Sequence, residues 1–178
     1  MKKPLFNPEK IIHEIIRVDY AGEFGAVRIY QGQLDAVKDP KTSAEIIHMK
    51  KQEDIHLEFF TKKMHQESVR PSVLMNLWSF MGYSLGRITA QAGAKYAMIC
   101  TESVELVIEK HYQNQINFLK SAKIEKELLK NIQKFREQEI EHKIHAEEYT
   151  KSFLAIDYFI KNTIKTICSI AIFLSRKI

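Results

Sequence analysis

The stretch Glu53-Asp-Ile-His56 decides the fold, because a later stretch, Glu139-Ile-Glu-His142, repeats its Glu-x-x-His spacing. Residues three apart project from the same face of a helix, so each stretch can aim a carboxylate and an imidazole at one point. Each stretch also follows a lone glutamate, Glu23 or Glu105, by about the length of one helical hairpin. The six side chains therefore form two similar half-sites, which is the pattern of four helices surrounding two metal ions.

Apolar residues at helical spacing surround these motifs and predict an all-α four-helix bundle of the ferritin type. The predicted core helices span about residues 9–37, 42–67, 97–120 and 123–150, within one domain that covers residues 1–178. The first helix is expected to end near Asp39 and Pro40, and the second to begin at an N-cap of Thr42 or Ser43. In each helix a glutamate interrupts the apolar row near its middle.

The composition narrows the function classes. The chain of 178 residues has 45% hydrophobic and 28% charged residues with only 6 Gly and 4 Pro, which is typical of one largely helical domain. The formal net charge is +5, but no Lys/Arg cluster is dense, so no nucleic-acid partner is predicted. Cys100 and Cys168 lack CxxC spacing, so neither a disulfide framework nor a zinc site is predicted. The segment Met1–Glu9 lacks the apolar region of a signal peptide, which predicts a bacterial-type cytosolic chain or one already trimmed.

Two segments lie outside the four core helices and are predicted to contact a membrane surface. Residues 72–96 form an apolar insert with Trp78 and three glycines, and its uncharged part is too short to span a bilayer. Residues 153–176 are rich in Ile and Phe but also carry Lys161, Lys165 and Arg176. An amphipathic helix of this kind lies in the membrane interface more readily than across it. The alternative is burial against the bundle or in an oligomer contact.

The ligand types indicate which metal the bundle binds. Buried ionised carboxylates are costly unless a cation pairs with them, so four glutamates in one core require positive charge. Four carboxylates and two imidazoles without a thiolate suit iron or manganese, and iron is favoured where O2 chemistry is wanted. Glu102 and Glu109 compete with Glu105, whose register favours it. Asp19 is a candidate partner for the outer nitrogen of a metal-bound histidine.

Three further features lie close to the predicted ligands. Gly22 and Gly25 bracket Glu23, and such helical glycines suggest that another helix or a flat substrate packs closely there. His111 can relay electrons or protons or hydrogen-bond a substrate, while Tyr112 can equally be a core tyrosine satisfied by one hydrogen bond.

Five segments together resemble the demethoxyubiquinone hydroxylase family of ubiquinone biosynthesis. They are Arg17-Val-Asp-Tyr-Ala-Gly-Glu-Phe-Gly-Ala26, Gln52-Glu-Asp-Ile-His56, Arg70-Pro-Ser-Val-Leu-Met-Asn-Leu-Trp78, His111-Tyr-Gln-Asn-Gln115 and Phe135-Arg-Glu-Gln-Glu-Ile-Glu-His142. The likeness runs from about residue 11 to the C-terminus. One departure is Tyr20, where the family often carries His.

The resemblance implies a di-iron monooxygenase that uses O2 to hydroxylate a 2-polyprenyl-3-methyl-6-methoxy-1,4-benzoquinol. It implies two iron ions held by six ligands and bridged by two of them, Glu53 and Glu139; the ligand set is Glu23, Glu53, His56, Glu105, Glu139 and His142. His111 and Tyr112 match the family's His-Tyr pair near the site, where they are candidate catalytic residues.

The resemblance also implies a location and partners. The protein is expected at the cytoplasmic face of a bacterial inner membrane, or at the matrix side of a mitochondrial one, with a lipid-binding partner of the ubiquinone pathway and self-association as a homo-oligomer. The electron donor stays open between the quinol, a small reductant such as NADH, and a partner protein, because the sequence contains no nicotinamide- or flavin-binding motif.

Three other functions share parts of the pattern. A ferritin-type iron-oxidising protein would use the same ligands, a di-iron tRNA hydroxylase would suit the basic charge, and a non-enzymatic quinone- or lipid-binding component would keep the six residues as structural groups. The apolar insert argues against the first, and the absence of a dense basic patch argues against the second.

Overall fold

A computed structural model describes residues 7–150 and 152–177, and all of its regular secondary structure is helical. Six helices follow one another: α1 Pro8–Leu34, α2 Pro40–Gln66, α3 Met75–Gln91, α4 Ala94–Ala122, α5 Lys126–Glu148 and α6 Ala155–Lys177. This confirms the predicted all-α bundle with a helical insert and a C-terminal helix. The prediction for Met1–Glu9 lies largely outside the described residues.

The junction between α1 and α2 differs from the sequence prediction. Helix α1 ends at Leu34, and the N-cap of α2 is Asp39 rather than Thr42 or Ser43. The Asp39 carboxylate accepts a 2.8 Å hydrogen bond from the backbone N–H of Thr42, and Pro40 occupies the first helical position. Proline suits that position because its N–H would have no partner in the helix. The Asp-Pro pair therefore starts the second helix instead of marking the end of the first.

The core consists of the hairpins α1–α2 and α4–α5, whose apolar faces pack into one bundle. One buried cluster lies toward one end of the bundle and contains Ile16, Phe60, Leu119 and Phe135 among others. A second lies toward the other end, around Tyr30, Ile46, Met49, Met98 and Ala146. The six predicted metal ligands occupy the level between these two clusters. The apolar layers on both sides thus keep bulk water from the acidic level.

Helix α3 packs on α1 with backbone in close contact. A Cβ atom at Gly86 would lie 1.9 Å from the carbonyl oxygen of Ile29, and one at Gly32 would lie 2.1 Å from that of Tyr83. Only glycine allows this approach. Gly93 lies between α3 and α4 with a φ of 121°. Glycine suits this position because that backbone conformation strains any other residue.

Helix α6 packs on α4 and α1, and buried ion pairs attach its first half. Lys161 pairs with the buried carboxylate of Glu102, and Asp157 lies 2.6 Å from Nζ of Lys95. Among the described residues, no helix is both long and apolar enough to cross a bilayer.

Candidate metal centre

The structure brings the six predicted ligands together in the middle of the bundle. Each comes from the central turns of a core helix, and all six side chains are nearly inaccessible to solvent: Glu23, Glu53, His56, Glu105, Glu139 and His142. The carboxylates of these ligands therefore lie in the interior of the bundle, where nearby groups must balance their charge.

The six side chains form two overlapping groups of four. Ligand atoms of Glu23, Glu53, His56 and Glu139 lie within 4.8 Å of one another, and those of Glu53, Glu105, Glu139 and His142 do the same. Glu53 and Glu139 belong to both groups. Two ions held in this way would share two carboxylates, and each would have one terminal glutamate and one histidine.

The donor atoms converge without satisfying one another. Nδ1 of His56 and Nδ1 of His142 lie 3.1 to 3.7 Å from carboxylate oxygens of the cluster, yet neither atom has a hydrogen-bond partner. Oε1 of Glu53 and both carboxylate oxygens of Glu139 are also buried without a partner. Buried polar atoms are rarely left so, and each one requires an explanation. A bound cation would supply it, and hard carboxylate with imidazole donors suits iron or manganese.

Burial and mutual repulsion change the pKa values of the cluster. Burial, and then the Glu53 carboxylate, raise the pKa of Glu23 to about 7. Burial, and then Glu139, raise the pKa of Glu105 well above its usual range. Burial opposes charge on His142, but contacts with Glu139 and Glu53 raise its pKa to about 11. The cluster thus takes up protons to balance its carboxylates, and a divalent cation supplies the same charge while displacing them.

Two tyrosines donate hydrogen bonds to Glu23 and Glu105, the two glutamates that each belong to only one donor group and are called the terminal glutamates below. The hydroxyl of Tyr30, on α1, donates a 2.9 Å hydrogen bond to Glu105 on α4. The hydroxyl of Tyr112, on α4, donates in return to Glu23 on α1. No role for Tyr30 is predicted from the sequence. The sequence signal that could have identified it is its position, because each tyrosine follows the lone glutamate of its own helix by two turns.

Two glutamines hold the histidines by their outer nitrogens. Oε1 of Gln138 lies 2.9 Å from Nε2 of His56, and Oε1 of Gln52 lies 2.6 Å from Nε2 of His142. The expectation that Asp19 has this role is wrong. Asp19 instead accepts a 2.7 Å hydrogen bond from Gln115. The missed signal is local, since a Gln precedes the Glu in both Glu-x-x-His stretches.

The competing glutamates of α4 point elsewhere. Glu102 accepts a hydrogen bond from Thr150 in addition to its ion pair with Lys161. Glu109 pairs with Arg136 and Lys143 near the surface. Among these three acidic residues of α4, only Glu105 reaches the cluster.

His111 lies one layer outside the six predicted ligands. Its Nε2 is 2.8 Å from the amide nitrogen of Gln115 and 3.4 Å from a carboxylate oxygen of Asp19, while Nδ1 is 3.4 Å from the Arg176 guanidinium. It is buried at the inner side of a small surface pocket that also contains Glu14 and Arg176.

An apolar cavity runs beside the terminal glutamates, between α1, α3, α4 and α6. Its wall on α1 and α4 includes Gly22, Ala26, Val104 and Ile108, which flank Glu23 and Glu105 along their helices. A Cβ atom at Gly22 or Gly25 would meet nothing within 4 Å. The Cβ positions of these two glycines therefore face open space in the cavity. Another helix does pack closely against the backbone beside them, because a Cβ atom at Gly82 of α3 would lie 2.8 Å from the carbonyl oxygen of Gly25.

A family model and three similar proteins indicate one and the same family for this chain. The family model described as "Ubiquinone biosynthesis protein COQ7" matches residues 10–175. A rat protein named NADPH-dependent 3-demethoxyubiquinone 3-hydroxylase, mitochondrial, is 42% identical over 93% of this chain and 77% of its own length. The yeast 5-demethoxyubiquinone hydroxylase, mitochondrial, is 36% identical over 94% of this chain and 78% of its own. A 3-demethoxyubiquinol 3-hydroxylase of Rhodospirillum rubrum is 40% identical over 77% of this chain and 64% of its own.

Proposed function

The chain belongs to the COQ7 family of ubiquinone biosynthesis proteins, and from that premise we propose that it hydroxylates the ring of a demethoxyubiquinol, using O2 at two iron ions. The observation that carries the proposal is the pair of overlapping donor groups that share Glu53 and Glu139 beside an apolar cavity. When bound, the iron ions supply reduction of O2, with one oxygen atom entering the ring and the other leaving as water.

The chain's own residues hold and orient the reactants. Glu53 and Glu139, which belong to both donor groups, would each hold both ions, while Glu23 with His56 and Glu105 with His142 would each hold one. Tyr112 holds Glu23 in place through its hydrogen bond, so it acts as a positioning residue in this proposal. His111 makes its contacts with Asp19 and Gln115 rather than with the six side chains.

The cavity suits the quinol ring and the start of its tail. The cavity lining is almost entirely apolar, with small residues such as Gly22, Gly25, Ala26 and Ala171 that leave room for a flat ring. Apolar burial of a polyprenyl chain contributes roughly 25 cal/mol per Å² of surface removed from water. Cavity-lining residues such as Gly22 and Val104 are the chain neighbours of Glu23 and Glu105, which would place the ring near the centre.

The outer faces of α3 and α6 favour peripheral contact with lipid. Large apolar side chains are exposed on both helices and flank the cavity; they include Leu77, Phe80, Ile88, Phe159, Ile170 and Phe173. Such a patch indicates a membrane or a protein partner. We place the protein at the cytoplasmic face of a bacterial inner membrane or the matrix side of a mitochondrial one. A lipid-binding partner of the ubiquinone pathway and a second copy of the chain are proposed as further partners.

Vesicle binding tests the membrane proposal. The full chain is expected to co-sediment with phosphatidylcholine vesicles that contain an anionic lipid, and the double variant Phe80→Ser, Phe173→Ser to stay in the supernatant. The control is Ile55→Ser, Ile144→Ser, whose large apolar side chains are also exposed, at 54% and 52%, but lie on α2 and α5. Equal binding by both double variants would remove α3 and α6 from the proposed contact.

The electron donor is proposed to be a reduced nicotinamide. The rat and human relatives are named NADPH-dependent. The described residues contain no dinucleotide-binding fold, because all their regular elements are helices. Stopped-flow measurement of iron reduction by NADPH and by NADH, with and without a quinone, tests this part of the proposal.

Complementation of a cell lacking its own demethoxyubiquinone hydroxylase tests the proposed activity. Expression of the chain is expected to deplete the demethoxy precursor and restore ubiquinone, both measured by mass spectrometry. Glu139→Ala is the negative control, because it removes a carboxylate shared by both donor groups. An unchanged precursor pool in cells that contain folded, iron-loaded protein would overturn the proposal. A ferritin-type or non-enzymatic function predicts that result.

A further inference from the structure

The two glutamines beside the centre are arranged in a crossed pair. Gln52 directly precedes Glu53 on α2, yet its Oε1 contacts His142 on α5 at 2.6 Å. Gln138 directly precedes Glu139 on α5, yet its Oε1 contacts His56 on α2 at 2.9 Å. Each Gln-Glu-x-x-His stretch thus provides the outer partner for the histidine of the other stretch.

This contact determines which ring nitrogen can bind a metal. An amide oxygen only accepts hydrogen bonds, so each histidine must carry its proton on Nε2 and donate it. In the neutral ring that binds a metal, the lone pair is then left on Nδ1, which is the atom that faces the carboxylates and has no hydrogen-bond partner. The opposite tautomer would direct an N–H at the cluster and leave the histidine unable to bind a cation.

The partner's charge matters as much as its geometry. Metal-bound histidines commonly donate their outer N–H to a carboxylate or a backbone carbonyl, and a carboxylate raises the basicity of the ring. Here the partner is a neutral amide. Four carboxylates already balance two divalent ions, so neutral histidines leave the reduced centre without net charge. A fifth negative group at this distance would favour the oxidised ions, because the more highly charged state gains more from it.

We propose that Gln52 and Gln138 are positioning residues that hold Nδ1 of the opposite histidine toward the metal and keep the centre readily reducible. This inference rests on the metal centre of the proposed function and not on its substrate. Both glutamines can have this role because their side chains are neutral. Glutamates of the same shape could not have it.

The first test measures reduction of the iron-loaded full chain. Gln52→Glu and Gln138→Glu keep shape but add charge, and each is expected to lower the ratio of diferrous to diferric protein at fixed potential by at least about tenfold, because the added charge favours the more highly charged oxidised ions. The ratio is read by Mössbauer spectroscopy. The matched control is Gln133→Glu on α5, whose side chain has no hydrogen-bond partner among residues 7–150 and 152–177. Ratios in the two test variants equal to that of the control would overturn the inference.

The second test uses zinc-loaded protein, which is diamagnetic, and follows the ring protons of the histidines by NMR. In the wild type, both rings are expected as Nε2–H tautomers whose protons exchange slowly with water. Gln52→Ala is expected to speed exchange at His142 alone, and Gln138→Ala at His56 alone. Faster exchange at the histidine of the same stretch, or no change at either, would overturn the crossed assignment. A wild-type chain that takes up neither iron nor zinc would overturn the metal centre itself, and with it the proposed function.

Discussion

The hydroxyl of Tyr30 on α1 lies 2.9 Å from Oε1 of Glu105 on α4, a residue of the other helical hairpin. Tyr112 and Glu23 make the same contact in the reverse direction. A neutral donor of this kind holds a carboxylate in a fixed position without adding charge. The centre is therefore supported by reciprocal contacts between its two halves rather than by each half alone.

Removal of one hydroxyl tests this support. We expect Tyr30→Phe to lower the iron affinity of the half-site containing Glu105 by about tenfold or more, because losing an outer partner of a metal ligand typically has this effect. Iron per chain is measured after dialysis against a weak chelator. Tyr83→Phe is the control, since Tyr83 donates a 2.7 Å hydrogen bond to the exposed Asp35, away from the centre. Full iron retention by Tyr30→Phe would show that its hydroxyl does not support metal binding.

Much of the fold was predictable because the spacing of apolar residues along each core helix indicates which face of that helix is buried. Apolar residues at i, i+3 and i+4 around Glu53 and Glu139 indicate helices whose motifs face inward, and the structure places them so. Helix ends were less predictable. Asp39 starts α2 because its side chain caps Thr42, a choice between adjacent polar residues that periodicity does not resolve.

The glutamine before each Glu-x-x-His stretch is visible in the sequence, but which histidine it contacts could not be predicted, because each contact joins residues far apart in the chain. Gln52 meets His142 and Gln138 meets His56 only after the two hairpins pack together. Asp19 was favoured as a partner because it lies on the inward face of α1, but its level in the bundle brings it to Gln115 instead. The spacing along one helix predicts on which face a residue lies, but the packing of the helices determines which residue it contacts.

Metal binding is expected to stabilise the fold. A ligand that binds only the folded state adds about 2.7 kcal/mol to the free energy of unfolding at a concentration of one hundred times its Kd. Anaerobic iron(II) should therefore raise the midpoint of denaturant unfolding, and a strong chelator should reverse the change. Glu53→Gln and Glu139→Gln are expected to abolish the increase, because both donor groups contain these carboxylates.

Glu109→Gln is the matched control for metal stabilisation. Glu109 lies on α4 near Glu105 but pairs with Lys143 at 2.6 Å. Its variant should retain the whole increase. Loss of the increase in Glu109→Gln, or its persistence in both of the other variants, would contradict the assignment of the centre.

Backbone contact between α1 and α3 makes Gly86 intolerant of any side chain. We expect Gly86→Ala to lower the free energy of unfolding by roughly 1–3 kcal/mol, the usual cost of overpacking a tight contact, because its Cβ atom would lie 1.9 Å from the Ile29 carbonyl oxygen. Gly22→Ala is the control. It adds a methyl group to open space and should stabilise α1 by up to about 1 kcal/mol. Urea unfolding of both variants gives the comparison, and equal stability would contradict the close contact.

Obstruction of the cavity should separate substrate binding from metal binding. Ala171 lines the cavity on α6, whereas its neighbour Ile170 is 52% exposed on the outer face. Ala171→Phe is expected to lower kcat/KM for a polyprenyl quinol at least about tenfold, because loss of fit in an apolar pocket has effects of this size. Ile170→Phe should leave it unchanged. Both variants should bind the same amount of iron as the wild type, and a loss of activity in Ile170→Phe alone would place the substrate elsewhere.

Protonation of Asp157 in acid should weaken the packing of α6 against the bundle. The carboxylate of Asp157 accepts a 2.7 Å hydrogen bond from the backbone N–H of Leu154, at the start of the helix, and also pairs with Lys95. The Leu154 N–H, and then Lys95, lower the pKa of Asp157 below its ordinary value of 3.8. A lowered pKa in the folded state means that the stabilisation is fully present above the ordinary pKa and is lost as the pH falls through the folded one.

Asp157→Asn tests this dependence, because the amide cannot pair with Lys95 as a charge. Its Tm is expected to lie below that of the wild type at neutral pH, and the difference should shrink below pH 3.8 as the wild-type carboxylate becomes protonated. Asp54→Asn is the control, since Asp54 pairs with Lys50 on an exposed helix surface, where such pairs contribute little. A Tm difference for Asp157→Asn that stays constant from neutral pH into acid would show that helix α6 does not depend on this charge.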